Sequence, residues 1–268
     1  MDLKRYENQI CNVDIGLLKK DEYTFYVLTK ILEGECTLTI TDKKRIIICY
    51  SHSPYPVWIW LPDDATDDEL ELAYQTVKSN FGIDGKHRFN LKYNHADYFM
   101  KRALADGREM KISLNLFAYR CENPISPKKI SLGKSVLATI QDLDLGVRYM
   151  DLFQKELGMD ELSMEEYFKK IKMLIEEKRL FFWQDENGEK VAMTGYSISG
   201  DKGSINTVYT RQDKRRMGYG ANLVYYVTGE VEKQGKIPVL YTDADYSASN
   251  GCYEGIGYVK QGSLCTIK

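Results

Sequence analysis

The sequence predicts a mixed α/β protein, of the α+β type with a mixed sheet, organised as two units. Three observations lead there. Strand-length apolar runs alternate with amphipathic helical patterns along the whole chain. The segment Pro124-Ile125-Ser126-Pro127-Lys128-Lys129 interrupts that alternation, because proline disfavours both a helix interior and a central strand. A length of 268 residues accommodates two modest domains. The boundary is drawn at the second proline, giving units 1–127 and 128–268.

In the first unit, helical patterns are expected near Asp21–Leu32, Asp67–Asn80 and Leu91–Leu104. Strands are expected at Cys36–Thr41, Arg45–Ser51, Val57–Leu61 and Met110–Tyr119. The second unit opens with a short strand within Lys129–Thr139. A helix over Asp142–Leu157 carries Leu143, Val147, Met150 and Phe153 at helical spacing. Ser163-Met164-Glu165-Glu166 reads as a capping box for a helix running to Lys178. Strands at Leu180–Gln184 and Lys190–Ser199 flank Asn187-Gly188, a strong hairpin signal. Ser204–Tyr209 is the next strand, followed by a helix over Gly218–Lys233 and a strand at Ile237–Thr242. A helix carrying Asn250 and Tyr253 comes next, with Ser247 or Ser249 as its N-cap and Gly257 as its stop, before a last strand at Tyr258–Ile267.

Composition narrows the function classes. A net charge of −2 gives no electrostatic case for a nucleic-acid partner. The longest apolar runs, near Arg45–Tyr50 and Pro56–Leu61, are far short of the ~20 residues a membrane-spanning helix requires. The opening octapeptide has no apolar signal-peptide core, and the six cysteines form no C-x-x-C pair, so reduced thiols in the cytoplasm are expected. His52, His87 and His95 are isolated, and no metal site is expected.

The most informative stretch runs from Val208 to Asn222. An apolar strand feeds a basic turn, Arg215-Arg216-Met217-Gly218-Tyr219-Gly220-Ala221, that opens directly into a helix. The first turn of a helix leaves N–H groups without partners, and its dipole favours anions. Gly218 and Gly220 lack a Cβ, so a diphosphate can approach the main chain. The turn is neither a Walker loop nor G-x-G-x-x-G. Arg215-x-x-Gly218-x-Gly220, followed downstream by Ser249-Asn250-x-x-Tyr253-x-x-x-Gly257-Tyr258, resembles the paired signature of the GCN5-related N-acetyltransferase (GNAT) superfamily.

The resemblance covers Lys129–Lys268 and implies acetyl-CoA as co-substrate. It assigns Arg215, Arg216, Met217, Gly218, Tyr219, Gly220 and Ala221 to the pyrophosphate. Val208 and Thr210 would pair through their main chain with the pantetheine arm, the Val208 N–H polarising the thioester carbonyl. Asn250 would contact the cofactor, and Tyr253 would be the general acid toward the departing thiolate. Cys252 reads as core, turned ~100° per residue away from Asn250 and Tyr253. Glu156, Asn206 or a water would relay the amine proton, and Gly146–Glu161 would shape acceptor choice. The first half is expected to be a smaller α/β unit, a degenerate GNAT-like one. Its corresponding turn, Leu61-Pro62-Asp63-Asp64-Ala65-Thr66, has no glycine and carries acids that repel a diphosphate.

The expected activity is acetyl transfer to a primary amine of a small molecule or peptide by direct attack, in a monomer or homodimer. Two alternatives stand beside it. One is a catalytically silent CoA-binding module on the same scaffold; the other is a tandem-GNAT aminoacyl transferase.

Overall fold

The computed structural model describes residues 2–34, 36–158 and 162–268. The chain divides into two compact units. One comprises residues up to Ala118 together with Thr242–Asp245 and Gln261–Lys268; the other comprises Tyr119–Tyr241 and Tyr246–Lys260. No helix among the described residues is long and apolar enough to cross a membrane.

The first unit contains β1 (Lys4–Gln9), α1 (Tyr26–Leu32), β2 (Cys36–Thr41), β3 (Ile47–Tyr50), β4 (Val57–Trp60), α2 (Asp67–Phe81), β5 (Phe89–Leu91), α3 (Tyr93–Ala105) and most of β6 (Ile112–Arg120). Strands β1 to β4 form an antiparallel meander, and β4 pairs in parallel with β5. All four residues of β4 are buried, as expected of a strand covered on both faces. The core combines Ile48, Ile59, Tyr74, Val77, Phe89 and Phe99.

Two features of this unit depart from expectation. Strand β1 reads Lys-Arg-Tyr-Glu-Asn-Gln and is almost wholly exposed, so no apolar alternation announces it. The helix expected over Asp21–Leu32 is a 3₁₀ turn at Ile15–Asp21 followed by α1, with the non-helical Phe25 (φ −118°, ψ 26°) between them.

The second unit contains β7 (Lys134–Leu137), α4 (Leu143–Glu156), α5 (Met164–Glu176), β8 (Leu180–Gln184), β9 (Lys190–Ser199), β10 (Lys202–Thr210), α6 (Tyr219–Glu232), most of β11 (Ile237–Asp243) and α7 (Ser247–Gly255). Strand β12 (Val259–Ile267) begins in this unit and ends in the first, where it pairs antiparallel with β5. Strands β7 to β10 are antiparallel neighbours, and β10 runs parallel to β11. Ser163 forms the anticipated capping box with Glu166 at the start of α5. Helices α4 and α5 bury Met150, Ile171 and Leu174 against Phe182 and Met193. Of the segment expected to shape acceptor choice, Met159–Glu161 lies outside the described residues.

Candidate functional site

Strand β10 alternates half-buried and buried residues, so Asn206, Val208 and Thr210 share one face while Thr207 and Tyr209 point into the core. Its register against β9 slips by one residue: Asn206 faces Gly195 and Tyr209 faces Met193. The extra residue makes a bulge, within which Thr207 adopts a φ of 54°. On the opposite side β10 pairs with β11 only through Lys202–Ser204. Beyond Ser204 the parallel strands lose their pairing, and Val208 has no cross-strand partner among the described residues. The bulge and this splay leave main-chain groups of β10 without ladder partners along its edges.

The turn after β10 is held from outside. Ser131 Oγ donates to the Met217 carbonyl at 2.8 Å, and Lys129 Nζ donates to the Arg216 carbonyl at 3.0 Å. Asn222, buried on the first turn of α6, donates through Nδ2 to the carbonyls of Lys129 (2.8 Å) and Gly218 (2.9 Å). The carbonyls of Arg216, Met217 and Gly218 are thus all engaged. Because each peptide is planar and trans, the N–H groups of Met217, Gly218 and Tyr219 point the opposite way from those carbonyls. Gly218 is the N-cap residue of α6, with a φ of 90° and no side-chain cap. A Cβ there would sit 2.7 Å from Ser131 Oγ, so both the conformation and the close approach require glycine. The first turn of α6 carries no acidic residue.

The side chains around this turn divide in role. Arg215 donates from Nε to the Thr210 carbonyl at 3.0 Å and pairs with Glu156 at the end of α4. It straps the turn to the strand end and to α4. Arg216 is exposed, with a φ of 62°, and Met217 is 42% exposed. Tyr219 is buried, and Gly220 and Ala221 are half-buried.

On α7, Asn250 and Tyr253 are the buried pair on one face. The Tyr253 ring meets Tyr258 edge-on, 6.0 Å between centroids, and its hydroxyl makes no hydrogen bond among the described residues. Burial holds its phenol protonated far above neutral pH. Burial also pushes the Cys252 thiol up to about 11, which leaves it a poor nucleophile. Neither Ser247 nor Ser249 caps α7. The chain turns into the helix at Tyr246, whose carbonyl accepts from the Ser249 and Asn250 N–H groups. Gly257, with a φ of 99°, ends the segment as expected.

Three participants were not anticipated: Lys129, Ser131 and Asn222. The one trace of them in the sequence is a polar residue at an otherwise apolar-facing position of α6. Glu156 has both oxygens engaged, Oε1 by Gln212 Nε2 at 3.0 Å and Oε2 by Arg215. Among the described residues no group of His, Cys, Asp and Glu could hold a metal ion.

A family model described as FR47-like protein matches residues 185–266. No curated protein matches the sequence. Among solved structures, a GCN5-related N-acetyltransferase from Sphaerobacter thermophilus superposes with a TM-score of 0.68 at 11% identity, covering 99% of this chain and 95% of its own. A GNAT-family acetyltransferase from Colwellia psychrerythraea gives 0.62 at 13% identity, covering 100% and 98%. A Drosophila protein gives 0.64 at 13% identity, covering 97% and 90%. The chain therefore has the fold of the GCN5-related N-acetyltransferases, and the segment matching the FR47-like family contains the β10–α6 turn and α7.

Proposed function

We propose that the second unit is an acyl-CoA-dependent N-acyltransferase that moves an acetyl group from acetyl-CoA to a primary amine of a small molecule or peptide. The observation that carries this reading is the uncapped amino end of α6, with three consecutive N–H groups turned away from the carbonyls that anchor the turn. A diphosphate suits it: anionic, rich in acceptors and small enough to reach the main chain past Gly218 and Gly220. Arg216 adds an exposed positive charge at the same turn, while Arg215 keeps the turn in place.

Bound acetyl-CoA supplies an activated thioester and a thiolate leaving group. Val208 and Thr210 offer main-chain groups to the pantetheine arm, and the Val208 N–H donates to the carbonyl oxygen as negative charge builds there. The amine must arrive neutral, which costs an alkylamine about 4–5 kcal/mol at pH 7. Its lone pair forms the C–N bond as the C–S bond breaks. Tyr253 gives the sulfur a hydrogen bond or its proton, and the proton shed by the amine returns to the phenolate through solvent. A phenol suits this step because it stays protonated where a thiol, near ~8.5, already ionises.

The test is release of free thiol from acetyl-CoA across a panel of primary amines, with thermal melting in parallel. Amine-dependent release is expected. If acetyl-CoA fails to raise the melting temperature, the reading is lost. A second reading, cofactor binding without turnover, draws on one observation: Glu156 is occupied by Arg215 and Gln212 and offers no open base. It predicts stabilisation by acetyl-CoA with no thiol release from any amine.

A further inference from the structure

In the first unit the carboxy ends of the parallel strands β4 and β5 open onto a cavity of about 290 Å³. Crevices at the carboxy ends of parallel strands are where open α/β sheets take ligands. One wall is Lys92, whose ammonium donates to Asp21 at 2.7 Å and Asp63 at 2.6 Å with only 9% of its side chain exposed. Trp60 Nε1 fixes Asp21 in turn at 2.8 Å. An ammonium has three protons, so Lys92 keeps one beyond these partners. Lys20 lines the same cavity and forms no ion pair among the described residues. Lys92 is also the N-cap residue of α3, a helix of 13 residues with no side-chain cap, and Asn94 on its first turn faces the cavity.

The opposite charge is present too. Asp63 commits one oxygen to Lys92, while its side chain remains 80% exposed. The Lys92 ammonium beside it holds its carboxyl below the usual carboxylate range, so it is ionised at neutral pH. Behind these groups His95 is 1% exposed, with the Pro62 backbone as its neighbouring acceptor. Lys92, Asp63 and Asp21 are its charged neighbours, and burial lowers it to about 4, so the ring is neutral.

A bare anion here would meet the Asp63 carboxylate; a bare cation would meet Lys20 and the positive end of α3. A molecule bearing both charges a few bonds apart satisfies each wall. We propose that this cavity binds a small zwitterion of the α-amino-acid type, with its carboxylate on Lys20 and the amino end of α3 and its ammonium on Asp63. The site shares no residue with the acyl-donor turn and does not depend on that assignment.

The full chain is titrated calorimetrically with the common α-amino acids one at a time, with acetate and methylamine at the same concentrations, and melting temperatures are recorded. At least one amino acid binds and raises the melting temperature, while acetate and methylamine do neither. Lys20→Ala and Asp63→Asn, both changes on exposed side chains, each weaken binding at least about tenfold with an unaltered circular dichroism spectrum. Gly218→Val leaves it unchanged. Binding by none of the amino acids overturns the proposal, as does binding that survives both substitutions. Acetate binding as tightly as the amino acids replaces the zwitterion with a plain anion and also overturns it.

Discussion

Helices α2 and α6 hold equivalent places in their units, yet their amino ends are opposites. Each connects a strand to its parallel neighbour, in the orders β4-α2-β5 and β10-α6-β11. Thr66 closes α2 with a capping box: its hydroxyl accepts from the Glu69 N–H at 3.3 Å, and Glu69 accepts from the Thr66 N–H at 2.8 Å. Asp67, Asp68 and Glu69 crowd its first turn, and Arg45 ties Glu69 and Asp64 together there. Helix α6 has a left-handed glycine, no cap and no acid. The same βαβ geometry thus yields a helix end satisfied from within or one that awaits an external anion. In the first unit α3, beside Lys20 and Lys92, is a helix without a side-chain cap.

Four experiments sharpen or break this contrast. The largest effect is expected from Tyr253→Phe, which should lower kcat by about 10²-fold or more while leaving acetyl-CoA affinity intact. An unchanged kcat, with acyl transfer shown to limit turnover, removes Tyr253 from the chemistry. Next is Gly218→Val, which combines a strained φ with a contact to Ser131; about 2 kcal/mol of lost cofactor binding, roughly 30-fold in Kd, should be seen by calorimetry. Affinity within twofold of the parent would mean that the α6 turn does not hold the cofactor.

Thr66→Ala should cost about 1 kcal/mol of stability by denaturant unfolding and leave acetyl-CoA affinity untouched. A loss of affinity would show that the α2 end is not closed after all. The smallest effect is a pH dependence. The Arg45 hydrogen bond holds the buried Glu69 carboxyl below its ordinary value of 4.5. A depressed carboxyl contributes stability above its unfolded value and loses it as pH falls through its folded one. The stability gap between parent and Arg45→Met should therefore narrow as pH drops from about 5 to about 3. A gap that stays constant over that window would show the pair adds nothing through ionisation.

Most of the second unit could be read in advance because local signals agree with tertiary ones. Leu180–Gln184 and Lys190–Ser199 are strand-rich runs around an Asn-Gly turn, and Ser163 with Glu166 marks a helix start. What escaped depends on contacts far apart in sequence. Strand β1 is polar and gains its place only by pairing with β2. Strand β5 is three residues long, too short for any period to show, and sits between β4 and β12. The anchoring of the α6 turn by Lys129 and Ser131 spans more than 80 residues of chain. Glycine spacing pointed to the turn; only the fold shows that its carbonyls are tied down and that Arg215 is a strap.

The bulge in β10 carries one further implication. Three steps of β10 match two of β9 between Asn206 and Tyr209, and with that extra residue the strand keeps a single alternation of buried and half-buried residues from Lys202 to Thr210. Deleting one residue at Thr207 would restore a flat ladder, rotate Tyr209 outward and bring Thr210 in. Everything downstream, including the glycine turn, would then leave from the wrong side of the sheet. Thr207, buried and at a φ of 54°, matters as a spacer as well as for its packing: this point of the chain should accept no change in count.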